Sequence, residues 1–254
     1  MRLLVELRSI DTVENDISPN DKIRGFVWSS LDDSLFNHDG EMSPFTFSSI
    51  FPRDDGIIKE GDSKYILFSS HDPDVMAHIA ASLEDSEVLN IGEMSFEVLD
   101  YQPLSVDVGP PGSKGVINTG TGVYACVPES HPKSVGDYPT FWKQEHGMGV
   151  FFDYINHRLQ SKHDKVYPHT ENGPLDVEYG LFTEKEFIKE YSLPNVRLTS
   201  GGEKWDLVVS KWNFHYHVKN QDHRRNLNLA LDLGIGGRTS LGLGFLNIVE
   251  GDGL

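Results

Sequence analysis

The sequence predicts an α+β protein made of two halves that share one element order, strand–helix–strand–strand–helix–strand. Three observations lead to it. Short runs alternate apolar with polar residues, as half-buried strands do, while other runs repeat apolar residues at helical spacing. In residues 1–108 these runs follow the order of a split βαβ unit. Residues 109–254 repeat that order without repeating the sequence, and GPPGSKG at 109–115 makes a turn-rich break between them. The expected architecture is two tandem ferredoxin-like (RRM-like) domains, 1–108 and 109–254.

The first strand is expected over residues 1–10, where Leu3, Val5 and Leu7 share a face. Ser18-Pro19 starts a helix, with the Ser18 hydroxyl able to cap and Pro19 suited to the first turn. Its apolar stripe is Ile23, Phe26, Val27 and Leu31. Residues 45–50 and 64–69 read as two strands joined by a charged, glycine-bearing stretch. Asp72-Pro73 opens a second helix with the stripe Val75, Met76, Ile79, Ala80 and Leu83, and residues 88–104 supply one or two strands. In the second half a strand is expected over 116–127, then a long helix from Tyr138-Pro139 to about His163 with Phe141, Phe151, Tyr154, Ile155 and Leu159 on its core side. Residues 164–195 are expected to be irregular around a short helix at 184–191. A hairpin over 196–199 and 204–218, turning at Gly201-Gly202, precedes a helix capped by Asp222 and ending at Leu233. A glycine-rich loop then leads into the last strand.

At 254 residues the chain can hold one large or two small domains with sizeable cores. Its single cysteine, Cys126, excludes an internal disulfide framework, fits a reducing cytoplasm, and lies in an apolar run expected to be core. The start, MRLLVELRSIDT, lacks the apolar run of a signal peptide, and no run approaches the roughly 20 apolar residues of a membrane helix. The expectation is a soluble cytoplasmic protein with no membrane partner.

The net charge of −17 argues at first sight against a nucleic-acid partner. Its distribution weakens the objection. In residues 1–108, 7 Lys and Arg stand against 22 Asp and Glu; in residues 109–254 the counts are 15 and 17. Residues 197–244 are net basic, with Arg197, Lys204, Lys211, Lys219, Arg224, Arg225 and Arg238 against four acids. An acidic cover suits a high-salt cytoplasm such as that of a halophilic archaeon. There counterion release adds little to RNA affinity, and backbone hydrogen bonds, stacking and shape carry binding.

GIGGRTSLGLG, residues 234–244, holds five glycines, Gly234, Gly236, Gly237, Gly242 and Gly244, around the insert Arg238-Thr239-Ser240. Glycine lets a backbone approach a ligand closely, and successive N–H groups in such a loop make an anion-binding concavity. A turn that only has to be tight fits the same residues. A nucleotide P-loop does not, because the closing Gly-Lys-Ser/Thr is missing. In WNFHYHVKN at 212–220, His215 and His217 share a strand face with Lys211 and Asn213, while Trp212, Phe214, Tyr216 and Val218 face the other way. An H-x-H pair holds zinc only with further ligands, so no metal and no cofactor is expected, and the face suits solvent or RNA.

Three segments carry a family resemblance. LGIGGRTSLGLGFLNIV (233–249) pairs a glycine-rich loop with a last strand; FNHDGEMSPFTFSSIF (36–51), after the first helix, sets a histidine before a PFTFS strand; KGVINTGTGVYA (114–125) fits the first strand of the second domain. Together they resemble the CRISPR-associated endoribonucleases that cut precursor crRNA within its repeats, the Cas-six family. The resemblance implies tandem ferredoxin-like domains, metal-independent cleavage, and a cut CRISPR repeat RNA passed to a multisubunit interference complex. His38 matches the family's catalytic histidine. RNA brings its own nucleophile, the ribose 2′-hydroxyl, so a base and an acid suffice. The products would be a 2′,3′-cyclic phosphate and a 5′-hydroxyl, and imidazole suits either proton transfer. Arg238 and the glycine loop are candidates to hold the charge that develops on phosphorus. A histidine ending a helix near its negative pole is also a sufficient account of His38.

This chain departs from the family at Ser43, where many relatives have a lysine before the PFTFS strand; Lys22 and Arg24 on the preceding helix are the available substitutes. The expected RNA-binding set is Arg24, Ser113, Lys114, Gly234, Gly236, Gly237, Arg238, Ser240, Gly242 and Gly244. Besides a structural component of a complex with no site, two other readings stay open. One is an RNA-binding subunit of a CRISPR complex without cleavage. The other is a phosphate-ligand enzyme on the same scaffold, since fold does not fix function.

Overall fold

In the computed structural model the chain is described over residues 1–14, 19–31, 42–52, 57–86, 88–134, 140–176, 180–197 and 204–251. In order, the first half supplies β1 (Arg2–Ser9), β2 (Val13–Glu14), α1 (Asn20–Ser30), β3 (Thr46–Phe47), β4 (Ile57–Ile58), β5 (Ser63–Ser69), α2 (Pro73–Glu84), β6 (Val88–Ile91) and β7 (Met94–Leu104). The second supplies β8 (Lys114–Thr119), α3 (Met148–Val166), β9 (Glu184–Arg197), β10 (Lys204–His217), α4 (Gln221–Leu233) and β11 (Leu246–Gly251).

Leu3, Val5 and Leu7 alternate with more exposed residues along β1 and pack against Ile23 and Val27 of α1 and Val75, Met76 and Ile79 of α2. Asp72 caps α2 by accepting from the Asp74 N–H, with Pro73 in the first turn. The sheet order is β3-β5-β1-β7-β6, with all neighbours antiparallel. The second sheet runs β11-β8-β10-β9. In both, the first and third main strands lie side by side in the centre, the fourth beside the first and the second at an edge. This is the ferredoxin-like order twice over, extended in the first sheet by β6. Helices α3 and α4 cover the second sheet, where Phe151 stacks on Trp212 (4.6 Å) and Phe182 on Phe214 (4.2 Å).

Several expected elements differ. Residues 184–191 are not a helix but the start of β9, paired with β10 along its length. EKEFIKEY is rich in helix formers, but nonlocal pairing overrides local preference. As an edge strand β9 carries its charges outward, with Lys185 over the Phe152 ring (4.4 Å) and Glu186 accepting from Asn213 (2.8 Å). The long helix begins at Met148 rather than near Pro139, which lies outside the described residues. Ahead of it Gly147 has φ 88 and its carbonyl accepts from the Trp142 indole (2.9 Å), while Phe141 bridges Cys126 instead of joining the helix. The expected strand over 116–127 stops at Thr119 and continues as single bridges at Val123, Tyr124 and Cys126. Cys126 is half-buried rather than core. Helix α4 is capped by Asn220, which accepts from the His223 N–H, not by Asp222. Ser18 and Gly201-Gly202 lie outside the described residues.

The halves are clasped at the start of β1. Arg2, 3% exposed, donates to Asn247 Oδ1 (3.0 Å) and to the Leu231 and Leu246 carbonyls (3.1 and 2.6 Å), and its guanidinium lies 4.6 Å from the Phe245 ring centre. Burial pushes it down to about 10 against the pull of Asp232. The Met1 amine donates to Asp232 (2.7 Å) and the Ser70 carbonyl (2.8 Å). Farther along, Asp107 binds Arg224 and Asn228 of α4, and Val108 packs in the second core.

Candidate functional site

A second junction between the halves forms around the glycine loop. Helix α4 ends at Gly234, and the loop folds back on itself and on the chain after β8. The Ile235 N–H bonds the Gly244 carbonyl (3.0 Å), Gly237 N–H the Tyr124 carbonyl (3.0 Å) and Gly244 N–H the Gly122 carbonyl (2.9 Å). Gly244, at φ +71, has no room for a side chain, since a Cβ would stand 1.9 Å from the Ile235 carbonyl oxygen. At Gly237 a Cβ would meet the Tyr154 hydroxyl at 2.5 Å, so the loop lies directly on α3. Gly234, Gly236 and Gly242 are buried as well. The loop is thus tight because it is packed, and its N–H groups at Ile235, Gly237, Leu241, Gly242 and Gly244 already bond to protein carbonyls. What it presents outward is Arg238, exposed and in the left-handed conformation (φ 58), and the half-buried Ser240. A non-glycine residue held there is a local strain of the kind that gathers at functional sites.

Helix α1 comes to this loop from the first half. The Asn20 amide donates to the Leu241 carbonyl (2.5 Å), and Gly242 presses on Phe47 of β3. One turn beyond Asn20 is Arg24, whose guanidinium is shifted down chiefly by burial, against Asp21 and with the Arg238 charge adding to the shift. The structure therefore brings together Arg24 and Arg238, two of the expected RNA-binding residues, from opposite halves. The loop glycines and Ser240 accompany Arg238, while Ser113, Lys114 and the substitute cation Lys22 stand apart. Lys22 turns away, its side chain lying over Gly92 in the β6–β7 turn. Ser113 is buried, and Lys114 opens β8 at the end away from Thr119, where the loop packs. Five residues of strand put them about 16 Å apart along the sheet. Ser43 is taken up locally, donating to the Phe45 carbonyl (2.8 Å).

Two features of this junction had no sequence signal. Lys162 of α3 is buried and donates to the Leu233 and Gly234 carbonyls (2.8 and 2.9 Å) and to Thr239 (3.2 Å), fastening the start of the loop to its middle. Burial, with Arg158 adding, pushes it down to about 7. Near Tyr154 the Cys126 thiol donates to the Tyr124 hydroxyl (2.9 Å). Burial raises the thiol, and it raises Tyr154 to about 12; Arg158 and Arg238 oppose both shifts. His215 and His217 do share the open face of β10 with Lys211 and Asn213, as expected. Among the described residues no three His, Cys, Asp or Glu side chains gather as a metal site. His38 lies outside the described residues.

The family described as "CRISPR associated protein Cas6, C-terminal" matches residues 113–248 of this chain. A CRISPR-associated endoribonuclease Cas6 of Haloferax mediterranei is 45% identical over 258 residues, covering 98% of this chain and 94% of the relative. The chain belongs to the Cas6 family. Another relative, the CRISPR-associated endoribonuclease Cas6 2 of Methanocaldococcus jannaschii, is 23% identical over 98% of this chain and all of its own length. Among solved structures, a CRISPR associated protein Cas6 superposes with a TM-score of 0.72 at 16% identity, covering 98% of this chain and 99% of that one. That likeness agrees with the doubled ferredoxin-like order. The matched segment contains α3, α4 and the whole glycine loop, so the second-half side of the junction lies within the family's own domain. No helix among the described residues of this chain is long and apolar enough to cross a membrane.

Proposed function

We propose that this protein is a metal-independent endoribonuclease that cuts precursor CRISPR RNA within its repeats. The observation that carries the reading is the convergence of Arg24 and Arg238 from opposite halves of a chain whose net charge is −17. Bringing like charges together costs energy that a bound polyanion returns. The name of the Haloferax relative, a CRISPR-associated endoribonuclease, supports RNA cleavage in a CRISPR setting.

In this reading residues 1–108 carry catalysis and residues 109–254 hold the repeat. His38 is the catalytic residue, moving a proton on or off the reacting oxygens as the ribose 2′-hydroxyl attacks the adjacent phosphate. The attack forms the P–O2′ bond and breaks the P–O5′ bond, leaving a 2′,3′-cyclic phosphate and a 5′-hydroxyl. Arg238, with Arg24 in place of the family's lysine, stabilises the negative charge on the phosphorane. The product passes to a multisubunit complex in the cytoplasm.

The test is a labelled repeat RNA from the same organism, incubated in concentrated potassium chloride with EDTA. The expected outcome is a cyclic-phosphate product from the unaltered protein and loss of at least about 100-fold in rate for His38→Ala. Equal cutting by both removes His38 from the chemistry. Tight binding with no cutting by either establishes the RNA-binding subunit instead.

A further inference from the structure

Helix α3 faces the glycine loop with a stripe of three residues four apart, Tyr154, Arg158 and Lys162, which a helix places one above another. The outer two are fixed to the loop. Tyr154 meets Gly237 so closely that no side chain fits between them, and Lys162 holds Leu233, Gly234 and Thr239. Arg158, between them, is exposed and its side chain makes no hydrogen bond or ion pair among the described residues; the same holds for the Arg238 side chain. The other arginines whose side chains are described are engaged: Arg2 with Asn247, Arg8 with Glu97, Arg224 with Asp107, Arg225 with Asp222, and Arg24 also. Arg238 follows Gly237, which lies on Tyr154, one helical turn from Arg158, and both guanidinium groups act on the same two neighbours, Cys126 and Tyr154. In a chain with 39 acidic residues, two arginines at one junction without an acidic partner among the described residues mark a place kept for an outside anion.

We propose that Arg158 and Arg238 form one phosphate-binding subsite, in which Arg158 of α3 and Arg238 of the glycine loop grip the same backbone phosphate of the RNA. Arg158 is a binding residue that no motif in the sequence singled out. Guanidinium groups suit the task because each presents a fork of donors matched to two phosphate oxygens. Lys162 and Tyr154 position the loop at the spacing the grip needs. The subsite rests on the RNA reading above and extends it beyond the junction of Arg24 with Arg238.

The experiment is a potassium chloride titration of binding to a repeat oligonucleotide carrying 2′-O-methyl groups, which block the internal nucleophile. Unaltered protein is compared with Arg158→Ala, Arg238→Ala, the double variant, and Arg8→Ala as a control outside the site. Arg158→Ala is expected to weaken binding about 10-fold and to lower the slope of log K on log salt by about 0.7 to 1. Its thermal midpoint should not change, because the side chain it removes is unpaired. In the Arg238→Ala background the same substitution should cost less, since residues sharing one partner couple. Arg8→Ala should change neither affinity nor slope. An Arg158→Ala protein with unaltered affinity and slope overturns the subsite and leaves the RNA reading standing. Fully additive losses overturn the shared phosphate. No binding by the unaltered protein overturns both readings together.

Discussion

Arg2 and Arg238 stand at two junctions between the same halves and are treated in opposite ways. Arg2 is buried, has three acceptors and an aromatic ring, and has Asp232 nearby. Arg238 is exposed, sits in a left-handed backbone turn, and has Arg24 rather than an acid as its neighbour from the first half. The first junction uses its charge to hold the protein together. The second leaves its charge pointing outward while burying glycines, a lysine and tyrosines to fix where it points. A cation that serves stability is recognised by its partners, and a cation that serves a ligand by their absence.

The largest expected effect comes from breaking the first junction. Arg2→Met leaves the Leu231 and Leu246 carbonyls and Asn247 without their donor, and should lower unfolding stability by about 3 kcal/mol or more. Urea titration checks this, and a change under about 1 kcal/mol would mean that the clasp holds little.

Lys162 gives a smaller, pH-dependent effect at the second junction. Its folded state releases the proton near 7, whereas the unfolded chain holds it up to about 10.5. Between those values the unfolded chain binds more protons, so this group makes stability rise with pH, and below about 7 its contribution is flat. Thermal midpoints of the unaltered protein and Lys162→Met, measured from pH 6 to 10, should therefore diverge above pH 7 (about one proton of slope). Parallel curves would mean that the three acceptors keep the amine charged in spite of its burial.

The smallest effect is expected at Lys22. Its stem covers Gly92, away from Arg24 and the loop, so Lys22→Ala should change repeat-RNA affinity by less than about two-fold. A loss comparable to that of Arg238→Ala would break the distinction drawn between the two faces of α1.

Much of the fold was legible in the residues. Leu3, Val5 and Leu7 alternate because β1 is half-buried, and Asp72-Pro73 announces α2 because a short acceptor and a fixed φ suit a helix start. The errors fell where local and nonlocal preferences conflict. EKEFIKEY favours a helix on its own, and only its partner β10 makes it a strand. Gly147 and the Trp142 indole bond delay α3 by a contact that spacing does not reveal. In the site, Arg238 stood out because glycines surround it, and Arg24 because it lies on an identifiable helix. Lys162 and Arg158 did not, because in RLQSKHDK every charge looks solvated. Burial of one and isolation of the other are properties of how α3 meets the loop.

The most direct measurement is the salt dependence of repeat-RNA binding by the variant carrying Arg24→Ala and Arg238→Ala together. If the second junction is where the two halves grip RNA, affinity falls at every salt concentration and the slope of log K on log salt drops by about 1.4 to 2. If affinity and slope match those of the unaltered protein, the arginines of this junction are surface charges and the RNA lies elsewhere.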